Sequence, residues 1–180
     1  LILQDLERRE RQVNNIYKHL LLKIMPHINE HIDFCVEVLV VYDNKVLLRR
    51  HDKYDKWLAV GGHIEQHENP NQTAIREVKE EVGLDIELIA PEGYKDIRRK
   101  GYIELIPPVF LNIHDINEKH KHIALTYFAK SKTDKLLLSK TEVAKGLRWL
   151  DKEQLENIKD ELQEEIYIYA KKALETVNKK

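Results

Sequence analysis

Residues 61–84 carry the strongest local signals in the chain and read GGHIEQHENPNQTAIREVKEEVGL. Pro70 favours the first turn of a helix, and Asn69 before it is a good capping residue. Gly83 is typical of the residue that follows the end of a helix. The stretch therefore predicts a glycine loop followed by a helix over 70–82.

The predicted helix has an apolar face and an acidic face. The apolar face, which we expect to be buried, consists of Ile75, Val78 and Val82. The acidic face consists of Glu77, Glu80 and Glu81. One interpretation is a solvated face on which Arg76 pairs with Glu80. The other interpretation is a metal site. The three like charges repel one another and lack a matching cluster of positive charge, and a cation such as Mg²⁺ would hold them together through their carboxylate oxygens.

The same stretch resembles the Nudix box at every defined position. The matching residues are Gly62, Glu68, Arg76, Glu77, Val78, Glu80, Glu81, Gly83 and Leu84. The resemblance covers roughly residues 33–160 and implies a hydrolase that cleaves a nucleoside diphosphate linked to another group. The implied metal is Mg²⁺, with Mn²⁺ as a substitute. The implied fold class is α/β, with a mixed β-sheet sandwiched between α-helices.

The resemblance also implies roles for individual residues. The Gly62 carbonyl and the three carboxylates of the acidic face would bind the metal, and Arg76 would brace the loop through Glu68. Water attack on phosphorus needs a carboxylate to take up a proton, and the box is one source of it. The resemblance implies that Glu142, seven residues before Trp149, is the other source or contributes to metal binding. The catalytic set is therefore Glu77, Glu80, Glu81, Arg76 and Glu142.

Four further residues are candidates for substrate binding. Arg49 and Arg50 end a predicted strand and must face opposite ways, so only one can point at the site, where it would suit bidentate phosphate contact. A surface position is the alternative for each. His63 is either a plain loop residue or a substrate contact. Tyr102 lies beyond the box, where a dinucleoside-polyphosphate subset of the family tends to carry a tyrosine.

Strands are predicted on both sides of the box. They cover 34–41, 45–50, 85–90, 103–116, 123–129, 136–138 and 147–150. Pro107 and Pro108 demand an edge or a bulge in the fourth of these. We expect His120 and His122 to lie in a loop and at the start of the next strand. The alternative is that they contact the base or the phosphates of the substrate. A helix capped by Asp151 and an amphipathic helix over 161–177 close the chain.

The apolar spacing of the first 31 residues predicts a separate helical extension, and the resemblance implies a Nudix domain over residues 32–180. The extension is an added N-terminal helix that ends near Met25, before Pro26. We expect it to pack on the catalytic domain, and a dimerisation helix or a substrate lid are the alternatives.

Composition excludes several classes of partner. The net charge of −1 gives no global field for nucleic acid or a membrane surface, and no apolar run reaches membrane-spanning length. The single cysteine, Cys35, excludes an internal disulfide and fits a buried inert thiol in a cytoplasmic protein. We therefore expect a small-molecule nucleotide derivative as the partner. The alternative to an enzyme is a catalytically silent module that binds a nucleotide and regulates a partner, against which the complete set of carboxylates argues.

Overall fold

The computed structural model describes residues 28–51, 55–137 and 146–178. Its strands are β1 (Ile32–Tyr42), β2 (Lys45–Arg50), β3 (Trp57–Leu58), β4 (Val60–His63), β5 (Ile86–Leu88), β6 (Arg98–Arg99), β7 (Tyr102–Ile103), β8 (Phe110–Asn117), β9 (His120–Ser131) and β10 (Gly146–Leu150). Its α-helices are α1 (Pro70–Val82), α2 (Lys152–Asn157) and α3 (Glu164–Val177). Residues 1–27 of the expected N-terminal helix and the segment with Glu142 lie outside the described residues, so both expectations stay predictions.

A mixed sheet forms the centre of the protein. Its strand order is β10-β2-β1-β9-β5, with β3 beside β2, β4 beside β1 and β8 beside β9. The central pair, β1 and β9, is parallel from Ile32 opposite Lys121 to Val41 opposite Lys130, while β2 and β4 pair with β1 antiparallel. Strand β1 is apolar on both faces because it is covered on both.

Helices cover both faces of this sheet. On one face, α1 packs against alternate residues of β1 in a core of Val36, Val38, Val40, Val60, Ala74, Val78 and Val82. On the other face, α2 and α3 pack in a core of Leu39, Val41, Leu48, Phe128, Leu155, Ile166, Ala170 and Leu174. The sandwich of a mixed sheet between helices that the sequence implied is confirmed. No helix in the described part of the chain is long and apolar enough to cross a membrane.

Helix α1 begins and ends as its local sequence predicts. The Asn69 side chain accepts from the backbone N–H of Gln72, and Gly83 ends the helix with a φ of 74°. The left-handed conformation at that position favours glycine. The expected apolar face is wrong in one residue, because Ile75 is 47% exposed and Ala74 is buried in its place.

Three strand predictions need correction. The expected strand over 103–116 begins only at Phe110, because Pro107 and Pro108 cannot donate ladder hydrogen bonds. Strand β9 begins at His120, so both predicted loop histidines lie in a strand. The residues at 136–137 are not in a strand.

Candidate active site

Gly62 of the glycine loop lies against the Glu77 carboxylate of helix α1. A Cβ atom on Gly62 would lie 2.4 Å from Glu77 Oε1, so only glycine leaves room for this carboxylate. Burial raises the pKa of Glu77, although the neighbouring Arg76 guanidinium opposes the shift. The arrangement packs the Glu77 carboxylate against the backbone of Gly62 at the end of β4.

Glu81 is held in place from two sides. Its Oε1 lies 2.8 Å from Arg49 Nη1, and its Oε2 accepts from the Gly61 N–H at 3.1 Å. Only 10% of the Arg49 side chain and 9% of the Glu81 side chain are exposed. A buried charged hydrogen bond of this kind fixes both side chains.

Arg76 joins three glutamates of the box. Its Nε and Nη2 donate to the two oxygens of Glu68 at 3.0 and 2.6 Å. Its Nη1 lies 2.8 Å from Glu77 Oε1 and 3.0 Å from Glu80 Oε2, and Nη2 also donates to the His63 carbonyl. The hydrogen bonds to Glu68 raise the pKa of Arg76. Burial alone would raise the pKa of Glu68, but these hydrogen bonds bring it below its ordinary value.

The acidic face therefore does have positive partners, and the expectation that it lacks them is wrong. Arg76 contacts Glu77 and Glu80, while Arg49 reaches Glu81 from strand β2. Arg76 is adjacent to Glu77 in the sequence, but Arg49 comes from a strand that precedes the box. Sequence spacing on the helix alone could not reveal it.

The donor set fits a hard divalent cation. Three carboxylates on one face of α1 and the carbonyl of Gly62 supply only oxygen ligands, which Mg²⁺ prefers. The space above Gly62, which a Cβ would fill, is what lets carboxylate and backbone approach each other. Glu80 is 61% exposed, so the face opens to solvent on that side.

The four candidate substrate residues do not share one location. Arg49 points to the side of α1, whereas Arg50 points away from it, to Asp55 at 3.1 Å. Tyr102 lies in the separate β6–β7 ribbon, where it contacts Glu104 and the Arg99 guanidinium. The His63 side chain lies on the sheet face opposite Glu77, because strand alternation turns it away from the side that Gly62 presents to α1.

A second polar cluster lies on that opposite face, and sequence reasoning did not assemble it. It consists of Asp33, Cys35, His63, His120 and His122. Burial, together with the other histidines, lowers the pKa of His122 to about 4. Burial also raises the pKa of the Cys35 thiol to about 12, in line with the inert thiol that was expected. The spacing of His120 and His122 was the visible signal, but their neighbours come from β1 and β4.

The comparisons with known proteins converge on one family. The family model of the NUDIX domain matches residues 34–172. A crystal structure of a NUDIX family hydrolase from Clostridium perfringens is 37% identical with a TM-score of 0.73, over 83% of this chain and 99% of that one. The MutT protein from Methanosarcina mazei has a TM-score of 0.56 over 86% of this chain and all of that one, and at 20% identity it shows the fold alone.

A curated relative adds a more local similarity. Dihydroneopterin triphosphate diphosphatase from Haemophilus influenzae is 51% identical over 53 residues, which are 27% of this chain and 34% of the relative. The match thus spans about a third of that protein's length. The family match over most of the chain, the complete box and the shared fold together show that this chain belongs to the NUDIX family.

Proposed function

We propose that this protein is a metal-dependent pyrophosphohydrolase that cleaves the diphosphate linkage of a nucleoside diphosphate joined to another group. The observation that carries the proposal is the Glu77 carboxylate packed over Gly62, in space that only glycine leaves. In the proposal, this close packing lets the Glu77 carboxylate and the Gly62 carbonyl serve one metal ion. A solvated glutamate face has no need of it.

Each residue of the site has a separate task in this proposal. The Gly62 carbonyl with Glu77, Glu80 and Glu81 would hold the metal. With Mg²⁺ held by these residues, charge on the phosphates would be neutralised and the pKa of an attacking water would be lowered. Arg76 keeps the loop and the carboxylates in position through its contacts with Glu68, Glu77 and Glu80.

Two side chains complete the proposed mechanism. Arg49 orients Glu81 through the buried pair that joins β2 to α1. The proton of the attacking water passes to a carboxylate, for which the box and Glu142 are the two sources. The leaving phosphate carries away the electron pair of the broken P–O bond.

The curated relative extends the proposed substrate class beyond nucleosides. This relative is a dihydroneopterin triphosphate diphosphatase, and its 51% identity to this chain is confined to 53 residues. We propose a triphosphate or diphosphate ester with a fused nitrogen heterocycle, such as a pterin or a purine. A panel of a pterin triphosphate, the purine nucleoside triphosphates and dinucleoside polyphosphates, read out as released phosphate or pyrophosphate, tests this choice.

A regulatory module without catalysis is the second candidate. It is favoured by one observation, namely that arginines contact all three glutamates of the acidic face, as they would in a purely structural network. Glu80 offers the sharpest test between the two functions because it is the most exposed of the three glutamates, so Glu80→Gln perturbs folding least. Glu87, exposed on β5, provides the matched control.

The enzyme proposal expects turnover that requires Mg²⁺, falls by more than about tenfold in Glu80→Gln and is unchanged in Glu87→Gln. The regulatory proposal expects nucleotide binding without turnover in every variant. Turnover that is equal in the parent protein and Glu80→Gln would remove this glutamate from the proposed metal site.

A further inference from the structure

Four side chains converge on the sheet face opposite α1, and we call Asp33, His63, His120 and His122 the histidine cluster. Strand pairing brings them together from three strands. Asp33 on β1 lies directly opposite His122 on the parallel strand β9, and His120 is two residues away on the same side of β9. His63 is the last residue of β4, which pairs with β1 on the side away from β9.

The ligand atoms of the cluster fall into two groups that share His122, namely Asp33 with His120 and His122, and His63 with His122 and Cys35, and within each group they lie within 4.8 Å of one another. His63 Nε2 lies 3.2 Å from His122 Nε2 and 3.5 Å from Asp33 Oδ2, and His120 Nε2 lies 3.3 Å from the same oxygen. A tetrahedral site with bonds of about 2.0–2.1 Å has edges of about 3.3 Å between ligand atoms. These three of the six separations among four ligands are close to that edge.

The orientation of His120 supports the same conclusion. Its Nδ1 lies 3.2 Å from the Glu30 carbonyl, which only accepts hydrogen bonds, so the ring hydrogen of a neutral His120 is on Nδ1. Its Nε2 then presents a lone pair toward the Asp33 carboxylate. A backbone carbonyl on the far nitrogen is also the usual outer partner of a histidine that binds metal.

Asp33 is fixed in the same manner. Its Oδ2 accepts from the Ile28 N–H at 2.9 Å, and its Oδ1 accepts from the Asn29 N–H and the Asn29 side chain. The residue is fully buried, whereas 29% of the His63 side chain is exposed. The cluster is therefore anchored at its buried end and has an approach for an ion at its outer end.

We propose that the histidine cluster binds one divalent transition-metal ion of the Zn²⁺ type. Three imidazoles and one carboxylate suit Zn²⁺, whereas the all-oxygen set of the acidic face suits Mg²⁺. The two sites thus differ in ligand chemistry and lie on opposite faces of the sheet. The alternative to a metal ion is a network of hydrogen bonds, in which a proton lies between each pair of neighbouring side chains of the cluster.

The proposed ion has a structural task next to the active site. His63 directly follows Gly62, and its carbonyl accepts from Arg76. An ion bound to His63, Asp33 and His122 would tie the end of β4 to β1 and β9. It would therefore fix the point at which the glycine loop leaves the sheet.

Cobalt titration of the parent protein provides a direct test. The full chain is stripped with a chelator, placed in excess Mg²⁺ to occupy oxygen-only sites, and titrated with Co²⁺. We expect one equivalent of Co²⁺ to give the intense visible absorption of a four-coordinate nitrogen-rich site, and one equivalent of Zn²⁺ to abolish it. A weak six-coordinate spectrum throughout the titration would overturn the proposal.

Two matched variants locate the site. His122→Asn removes the nitrogen that lies nearest to His63, and His67→Asn makes the same change at a loop histidine with 78% of its side chain exposed. Loss of an outer partner already weakens metal binding by about 10- to 100-fold, so His122→Asn should weaken Zn²⁺ binding by more than about 100-fold. His67→Asn should leave it unchanged.

Thermal melts with and without Zn²⁺ guard against a variant that fails to fold. Zn²⁺ should raise the melting temperature of the parent and of His67→Asn, because it binds the folded state. His63→Asn serves as a second cluster variant if His122→Asn does not fold. Zn²⁺ binding by a folded cluster variant with the affinity of the parent would contradict the assignment.

Discussion

Glu81→Gln is the most informative substitution in the acidic face, because it separates charge repulsion from ion pairing. Glu81 contacts the Arg49 guanidinium at 2.8 Å, and both side chains are about nine-tenths buried. If repulsion among the glutamates dominated, loss of one charge would stabilise the metal-free protein. Since the structure gives this glutamate a buried partner, we expect the opposite.

The size of the effect follows from the burial of the pair. Removing one member of a buried ion pair costs about 3–5 kcal/mol, because the other charge stays buried without its counter-charge. Glutamine retains an oxygen that can accept from the Gly61 N–H, so we expect the lower end, about 3 kcal/mol. For a protein of this size, each kcal/mol lowers the melting temperature by about 2–4 °C, which gives a decrease of about 6–12 °C.

Thermal and urea unfolding in the presence of a chelator measure this change. The double variant Arg49→Met with Glu81→Gln is the control, because replacing both members of a buried pair is close to neutral. It should therefore be more stable than Glu81→Gln alone by about 2 kcal/mol or more. A metal-free Glu81→Gln protein that melts at or above the parent would refute the importance of the Arg49 contact and restore the repulsion argument.

Three further results are expected. Gly62→Ala should lower turnover by about tenfold or more, because the new Cβ displaces a carboxylate of the site. Gly146→Ala is the control, because its Cβ meets nothing closer than 3.4 Å, and it should leave turnover and melting temperature unchanged. Arg76→Lys should lose the paired hydrogen bonds to Glu68, and faster proteolysis of the 64–69 loop should report that loss. Glu142→Gln should lower turnover by about 10²- to 10⁴-fold with nucleotide binding retained, if it is the base.

The sequence predicts the elements whose signals are local. Asn69, Pro70 and Gly83 set both ends of α1, and the Asp43-Asn44 turn sets the hairpin between β1 and β2, where both turn residues have positive φ. Such signals act within a few residues, so a single sequence contains them in full. The Arg76 contact with Glu80 is predictable for the same reason, since it follows from helix spacing.

Contacts between distant strands could not be predicted in this way. Arg49 lies 32 residues before Glu81, and nothing in the local pattern indicates which arginine of β2 faces the helix. The histidine cluster depends on the register between β1 and β9, which only the folded sheet defines. The start of β8 at Phe110 likewise depends on another strand. After the two prolines, the chain can enter the sheet only where β9 has backbone groups to pair with it.

The central position of β1 has a consequence for how the chain folds. Its ten parallel partners on β9 lie 89 residues further along the chain. At a synthesis rate of about 5–20 residues per second, β1 leaves the ribosome roughly 4–18 s before β9. During that time only the nearer strands β2 and β4 can pair with it, and one apolar edge stays open to other nascent chains. We therefore expect the yield of folded protein to depend on chaperones and to fall when synthesis is slow, since the strand that completes the second edge of β1 is made late and is the longest of the described strands.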